Sequence, residues 1–335
     1  MDEKERLIRI LKGESVDRPP VICPGGMMNA AVTEVVKNIR GNHNLEVDSM
    51  VEASKKVQEL TGFENYGVPF CMTVEAEPMG VEVDFGDKNV EPRITKYNDD
   101  DIEEIMARYK ANPLKDGRMP VVLEAIRRLK NDRIPVIGNL TGPMSTATSI
   151  IDPLILMKML RKDPEKAYKF LKYVTEYSVN YVEEMIISGA DVIAMSDPTA
   201  TGEILGKKNF EKFIIPMYVE IVKAVHSKGK NIIIHICGDT KNILESLNNI
   251  GADALSFDSI VSMKYARNII TTRLMGNVST QLLQDGIKEK IEAITENCID
   301  SGADIVSPAC GLGMSTSIDN LKAMTYLVKG RKYDV

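Results

Sequence analysis

Three side chains in this sequence have the types and spacing to hold a metal ion. The run Asn231-Ile-Ile-Ile-His-Ile-Cys-Gly238 reads as a short apolar strand that stops at a glycine. Residues i and i+2 of a strand point to the same side, so His235 and Cys237 project together. Cys310 has the same setting far downstream: it follows the apolar run Ala303-Asp-Ile-Val-Ser-Pro-Ala309 and precedes Gly311. One imidazole and two thiols at converging strand ends make three ligands of a tetrahedral zinc site. Three protein ligands and one exchangeable position mark a catalytic zinc rather than a structural one. An isolated H-x-C is more often core, and a free cysteine is often a small buried hydrophobe. Here the chain has only three histidines, the distal cysteine ends its own strand, and a glycine after each stretch lets backbone and ligand approach closely.

The elements that must position these groups follow a strand–helix beat. Residues 2–13 predict an amphipathic helix with Leu7, Ile8, Ile10 and Leu11 inside, stopped by Gly13 and the Asp17-Arg-Pro-Pro20 turn. Eight candidate strands follow: Val21–Cys23, Tyr66–Thr73, Pro135–Asn139, Asp191–Ser196, Asn231–Cys237, Ala254–Phe257, Arg273–Asn277 and Asp304–Ser307. Helical patterns separate most of them, the clearest being Asp48–Leu60, Met119–Leu129, Lys162–Ser188, Lys208–Lys228, Thr240–Asn249 and Ile287–Ser301. Strands alternating with helices predict a parallel sheet. Ser188-Gly-Ala-Asp, Ile250-Gly-Ala-Asp and Ser301-Gly-Ala-Asp share one pattern, a helix end, a glycine stop and an apolar strand. The intervals differ, so this is the turn of a repeated unit and not a solenoid.

Eight such strands in 335 residues favour an α/β (β/α)8 TIM barrel as one domain over 1–335, with an N-terminal helix and an inserted segment near residues 74–116. That segment is irregular, with Pro78, Gly80, Gly86 and Pro92, and reads as an excursion, a β-hairpin, near the barrel mouth. A doubly wound open sheet is the alternative, but no G-x-G-x-x-G follows the first strand. Active sites of this barrel sit at the C-terminal ends of its strands, where His235, Cys237 and Cys310 fall. Asp258 ends the strand between them and is placed to be a fourth ligand or a neighbour of the metal. Asp197, Asn277, Asn139 and Glu75 are further mouth residues able to orient a substrate or cofactor, or to brace the ligands. The Gly-rich stretch Pro24-Gly-Gly-Met-Met-Asn29 is a candidate flexible rim.

Composition narrows the class. The chain is 44% hydrophobic and 27% charged, with net charge −6 and both signs interspersed, so nothing favours nucleic acid as partner. It has no Trp and few aromatics, which also argues against a base-stacking surface. No signal peptide or membrane span is legible. The five cysteines are odd in number and widely spaced, as for reduced thiols in a cytoplasmic protein.

These stretches together resemble the uroporphyrinogen decarboxylase superfamily, and within it the methylcobalamin:coenzyme M methyltransferase branch. Leu11-Lys-Gly-Glu-Ser-Val-Asp-Arg-Pro-Pro-Val21 resembles the superfamily opening. Pro69-Phe-Cys-Met-Thr-Val-Glu-Ala-Glu77, Arg118-Met-Pro-Val-Val-Leu-Glu-Ala125, Gly138-Asn-Leu-Thr-Gly-Pro143 and Ala190-Asp-Val-Ile-Ala-Met-Ser-Asp-Pro198 are similar to methyltransferase segments. His235-Ile-Cys-Gly238, Gly276-Asn-Val-Ser279 and Pro308-Ala-Cys-Gly311 carry the resemblance furthest. It implies zinc on His235, Cys237 and Cys310. The branch's fourth resting ligand is a Glu, and the shorter Asp258 stands at that position here.

The resemblance further implies methyl transfer from methylcob(III)alamin to a zinc-activated thiol such as coenzyme M. A coordinated thiol is deprotonated, and the thiolate is the nucleophile. No D-x-H-x-x-G corrinoid signature is present, so methylcobalamin is expected to arrive on a partner corrinoid protein. Tetrahydrofolate as acceptor, or a methylated substrate as donor in the reverse role, remain open. A sulfonate would be well served by arginine, yet the one arginine near a strand, Arg273, begins its strand and lies at the wrong face. The superfamily's decarboxylases hold their substrate's carboxylates with arginines after the opening segment; Val21-Ile-Cys-Pro-Gly-Gly-Met-Met-Asn29 has none, which disfavours decarboxylation.

Overall fold

The apolar runs of the sequence become the staves of a parallel sheet in a computed structural model that describes residues 1–24 and 32–333. The strands are β1 Tyr66–Val68, β2 Glu82–Asp84, β3 Arg93–Lys96, β4 Val136–Thr141, β5 Val192–Ser196, β6 Asn231–Ile236, β7 Ala254–Phe257 and β8 Arg273–Met275. Six of them pair in parallel in the order β1-β4-β5-β6-β7-β8, and β2 and β3 form a separate antiparallel hairpin inside the inserted segment. Helices such as Val47–Thr61, Met119–Leu129, Pro164–Ser188, Ile215–Ser227 and Lys288–Asp300 link and cover the strands. All six residues of β4 and all six of β6 are buried, as expected for strands covered on both faces.

Two expected strands are present as single bridges rather than ladders. Val21 bridges Val306, and Ile305 bridges Met275. On the other side of Val21, the Glu64 amide donates to its carbonyl at 2.9 Å, and the Asn65 side chain brackets the backbone of Cys23 at 2.9 and 3.0 Å. These contacts carry the ring from β8 back to β1. Pro20 precedes one segment and has no N–H to extend a ladder, whereas the other segment continues as a further single bridge between Val278 and Pro308. Pro69, likewise without an N–H, ends β1 short of the expected Thr73.

The repeated Gly-Ala-Asp has a shared structural task. Asp191 accepts from Val136 N at 3.0 Å, Asp253 from Ile232 N at 2.7 Å, and Asp304 from Leu274 N at 2.8 Å. Each carboxylate holds the start of the adjacent strand, so the repeat sets register, and with it the height of His235 on β6.

The helices depart from expectation where proline or glycine intervenes. The expected 162–188 helix is present as Pro164–Ser188, and a further helix, Pro153–Lys162, precedes it; Asp163 caps the longer one by accepting from Lys166 N at 3.2 Å, with Pro164 in its first turn. The expected 208–228 helix begins at Gly202, breaks at Gly206 (φ 70°) and widens into a π-turn over Phe210–Ile214 ahead of Pro216. The expected Thr240–Asn249 helix shrinks to Leu244–Leu247. The Gly-rich rim candidate falls, beyond Pro24, outside the described residues.

Candidate metal centre

β6 alternates its side chains across the sheet, and His235 lies near its C-terminal end, 4% exposed. Cys237 follows one residue past the strand, and Gly238 then turns the chain with φ +70°, a left-handed conformation that side chains rarely adopt. Cys310 arrives from the other side of the ring. Its approach is fixed by Val278 N donating to Ser307 O at 3.1 Å and Ala309 N donating to Val278 O at 2.8 Å. The result is a cluster: His235 Nε2 stands 3.0 Å from Cys237 Sγ, which stands 2.7 Å from Cys310 Sγ. All three donor atoms fall within 4.8 Å of one another, and the two sulfurs are only partly buried.

Proximity drives the two thiols in opposite directions. The Cys310 thiol is lowered to about 4 by the hydrogen bond from Cys237, helped by His235 and the Gly311 amide and opposed by burial. Cys237 goes up, because it is hydrogen-bonded to Cys310, is buried, and faces the negative charges of Cys310 and Asp258. A nitrogen beside two sulfurs is the donor set of a borderline-soft divalent cation such as zinc.

The other sequence-predicted residues take different places. Asp258 lies outside the 4.8 Å cluster. Its Oδ2 accepts from Gly238 N at 3.3 Å and its Oδ1 from Ile260 N at 3.2 Å, so it neighbours Cys237 and braces the turn behind it. Asn277 donates to the carbonyls of Asp258 (3.0 Å) and Val261 (2.8 Å), fixing the loop after β7. Asp197 is fully buried and accepts from Met144 N, Ser145 N, Ser145 Oγ and Tyr218 Oη at 3.1, 2.8, 2.6 and 2.9 Å. Its carboxylate thereby caps the helix Pro143–Ile150 from a neighbouring strand, while burial raises its pKa against the donors from Ser145 and Tyr218. Gly142 makes this possible, since a Cβ there would stand 2.4 Å from Asp197.

Glu75 is buried and grips the end of β4, accepting from Thr141 N and Oγ1, each at 2.8 Å; burial pushes its pKa up. Asn139 donates to Pro69 O at 3.0 Å, and its Oδ1 is buried without a partner. Arg273 binds Ile10 O and Asp304, well away from the strands' C-terminal ends.

Two residues were missed. Ser256, on β7, lies 2.9 Å from His235 Nδ1; the signal was a polar residue inside the apolar run Ala254-Leu-Ser-Phe257. Arg118 is buried beside the end of β1, donating to Glu77 (2.7 Å) and Thr73 (2.6 Å); nothing in its local pattern marked it. A groove of about 790 Å³ lined by Val261, Met263, Leu282, Ile294 and Cys298 does not include the His–Cys cluster, although Asn277 lines it.

Comparison with known proteins places this geometry in a family. The uroporphyrinogen decarboxylase (URO-D) family model matches residues 2–331. The chain belongs to that family. It is 30% identical to the methylcobamide:CoM methyltransferase MtbA of Methanosarcina acetivorans, covering 98% of each chain. A methylated-thiol–coenzyme M methyltransferase of Methanosarcina mazei is 27% identical, with 96% of this chain and 88% of that one covered. Among solved structures, a methyltransferase from Methanosarcina mazei superposes with a TM-score of 0.90 at 30% identity, covering 98% of this URO-D family chain and 99% of the other. This relation supports the barrel expected from the sequence. No helix of the described residues is long and apolar enough to cross a membrane.

Proposed function

We propose that this URO-D family protein, acting as one domain, is a zinc-dependent methyltransferase. It moves a methyl group from methylcob(III)alamin, delivered by a separate corrinoid protein, to a small thiol such as coenzyme M. The observation that carries the reading is the convergence of His235, Cys237 and Cys310 at the C-terminal ends of the strands, in a chain that aligns end to end with methylcobamide:CoM methyltransferases.

Zinc held by those three residues would supply Lewis acidity, converting a neutral thiol into the thiolate that attacks a methyl group. The protein's own groups do the rest. His235 presents Nε2 and the two cysteines present sulfur, all from the strand ends. Asp258 stands beside them, its carboxyl group held by Gly238 N, placed to respond when a negatively charged sulfur enters. Asn277 fixes the loop bearing Asp258, while Asp197, whose amide donates to His235 O at 3.0 Å, and Glu75 and Asn139 brace the neighbouring strand ends. The chain lacks arginine between Val21 and Asn29, which leaves a many-carboxylate porphyrinogen without the expected clamps.

The test is spectroscopic. Zinc-loaded protein mixed with methylcobalamin and coenzyme M should produce reduced cobalamin and the methyl thioether, and Cys310→Ala should abolish both. No transfer to coenzyme M or other small thiols from free or protein-bound methylcobalamin would refute the proposal; transfer to tetrahydrofolate instead would reassign the acceptor.

A further inference from the structure

Ser256 is a polar side chain with no exposure, set in a strand whose other residues are Ala254, Leu255 and Phe257. A buried hydroxyl is costly without a partner, and this one has the imidazole of His235, with Oγ 2.9 Å from Nδ1. The pairing is built into the sheet. β6 and β7 run in parallel with His235 opposite Ser256, so the two side chains rise on the same face of neighbouring strands. Two residues on, Asp258 accepts from Gly238 N, directly after Cys237. Ser256 and Phe257 of β7 therefore face His235 and Ile236 of β6 position for position, and Asp258 meets the turn that follows.

We infer that Ser256 is a positioning residue for the metal site: it accepts a hydrogen bond from Nδ1–H of His235 and so leaves the Nε2 lone pair free for the cation. The inference rests on the zinc reading above and goes beyond it to a residue that touches neither metal nor substrate. Nε2 is the nitrogen that faces the sulfurs, 3.0 Å from Cys237 Sγ. A neutral imidazole carries one N–H, so a metal on Nε2 requires the proton on Nδ1. A serine hydroxyl suits the task because it can accept there without adding charge. A carboxylate would set a further negative charge near two cysteine sulfurs, and an alanine would leave the buried Nδ1–H bare. Partners of this kind hold both the tautomer and the ring orientation of a ligating histidine.

The test uses the full chain and zinc itself. Zinc affinity is measured by chelator competition for the parent, Ser256→Ala and Ser256→Thr, with thermal unfolding of the metal-free forms as a control. Ser256→Ala should bind zinc about 10- to 100-fold more weakly with little change in unfolding temperature, and Ser256→Thr, which keeps the hydroxyl, should recover most of the loss. Nitrogen NMR of histidine-labelled, zinc-loaded parent should show Nδ1 protonated and Nε2 metal-bound. Unchanged zinc affinity in Ser256→Ala, or a parent with zinc on Nδ1, overturns the assignment. Should Ser256→Ala fail to fold, the threonine variant and the parent spectrum decide. A parent that binds no zinc overturns this assignment and the metal reading together. Zinc binding that depends on Ser256 without methyl transfer refutes only the proposed reaction.

Discussion

Asp197 offers the sharpest test of whether a polar residue at the barrel mouth braces the scaffold or meets the substrate. Its carboxylate takes four hydrogen bonds: Oδ1 from Ser145 N and Oγ, and Oδ2 from Met144 N and Tyr218 Oη. Replacement by alanine leaves two backbone N–H groups at a helix N-terminus and a buried phenol without acceptors. The Ser145 hydroxyl keeps Thr199 as a partner at 3.1 Å. Three orphaned groups at roughly 1–3 kcal/mol each, offset in part by no longer burying a charge, come to about 3–5 kcal/mol of lost stability. Asparagine keeps the Ser145 pair on its oxygen, while its NH2 confronts the Met144 N–H; Tyr218 can turn to accept. One lost bond and one clash of donors give about 1–2 kcal/mol. Urea unfolding followed by circular dichroism measures both, with zinc content and methyl transfer recorded on the folded protein. The expected order is parent, Asp197→Asn, Asp197→Ala in stability, with transfer falling only as folded protein is lost. Unfolding of Asp197→Ala within about 0.5 kcal/mol of the parent, with transfer abolished, would refute the scaffold account and put the carboxylate on the substrate.

Three further outcomes follow from the same contacts. Cys237→Ala or Cys310→Ala should lose zinc and methyl transfer together, read by metal analysis of the purified protein; a variant retaining one zinc per chain removes that sulfur from the ligand set. Asp258→Asn should keep zinc, because its side chain lies outside the donor cluster, while altering thiol affinity by titration calorimetry; loss of zinc would make it a ligand. Asp17 is held down to about 2, first by its hydrogen bond from Arg6 and then by Arg6's charge. Its folded pKa lies below its unfolded one, so its stabilisation is complete above pH ~4 and disappears as pH falls through about 2. Asp17 is 43% exposed, so solvent screening limits the effect to about 1 kcal/mol or less; Asp17→Asn should match the parent at low pH and fall below it at neutral pH, by urea midpoint.

Local pattern determined a good deal of this protein. A strand's two-residue period put His235 and Cys237 on one side before any fold was known, and the glycine after each apolar run marked where strands end. The Gly-Ala-Asp turns announced the barrel unit, although not that each aspartate reaches across to hold an amide at the start of the preceding strand. Proline punctuation was legible too, yet its effect on Val21, a bridge in place of a ladder, depended on what its neighbours offered as partners.

Only the tertiary structure decided which of the mouth's polar residues are taken up by the protein's own donors and which stand beside the His–Cys cluster. Asp197 and Asp258 both follow strands and are indistinguishable by position in the chain. One is consumed by donors from Met144, Ser145 and Tyr218, and the other stands beside Cys237. Ser256 likewise has meaning only through strand register, because its partner is 21 residues away on β6. Side-chain period is a property of one strand, whereas hydrogen-bond partnership depends on how several strands are aligned, and alignment is set by the closing of the whole ring.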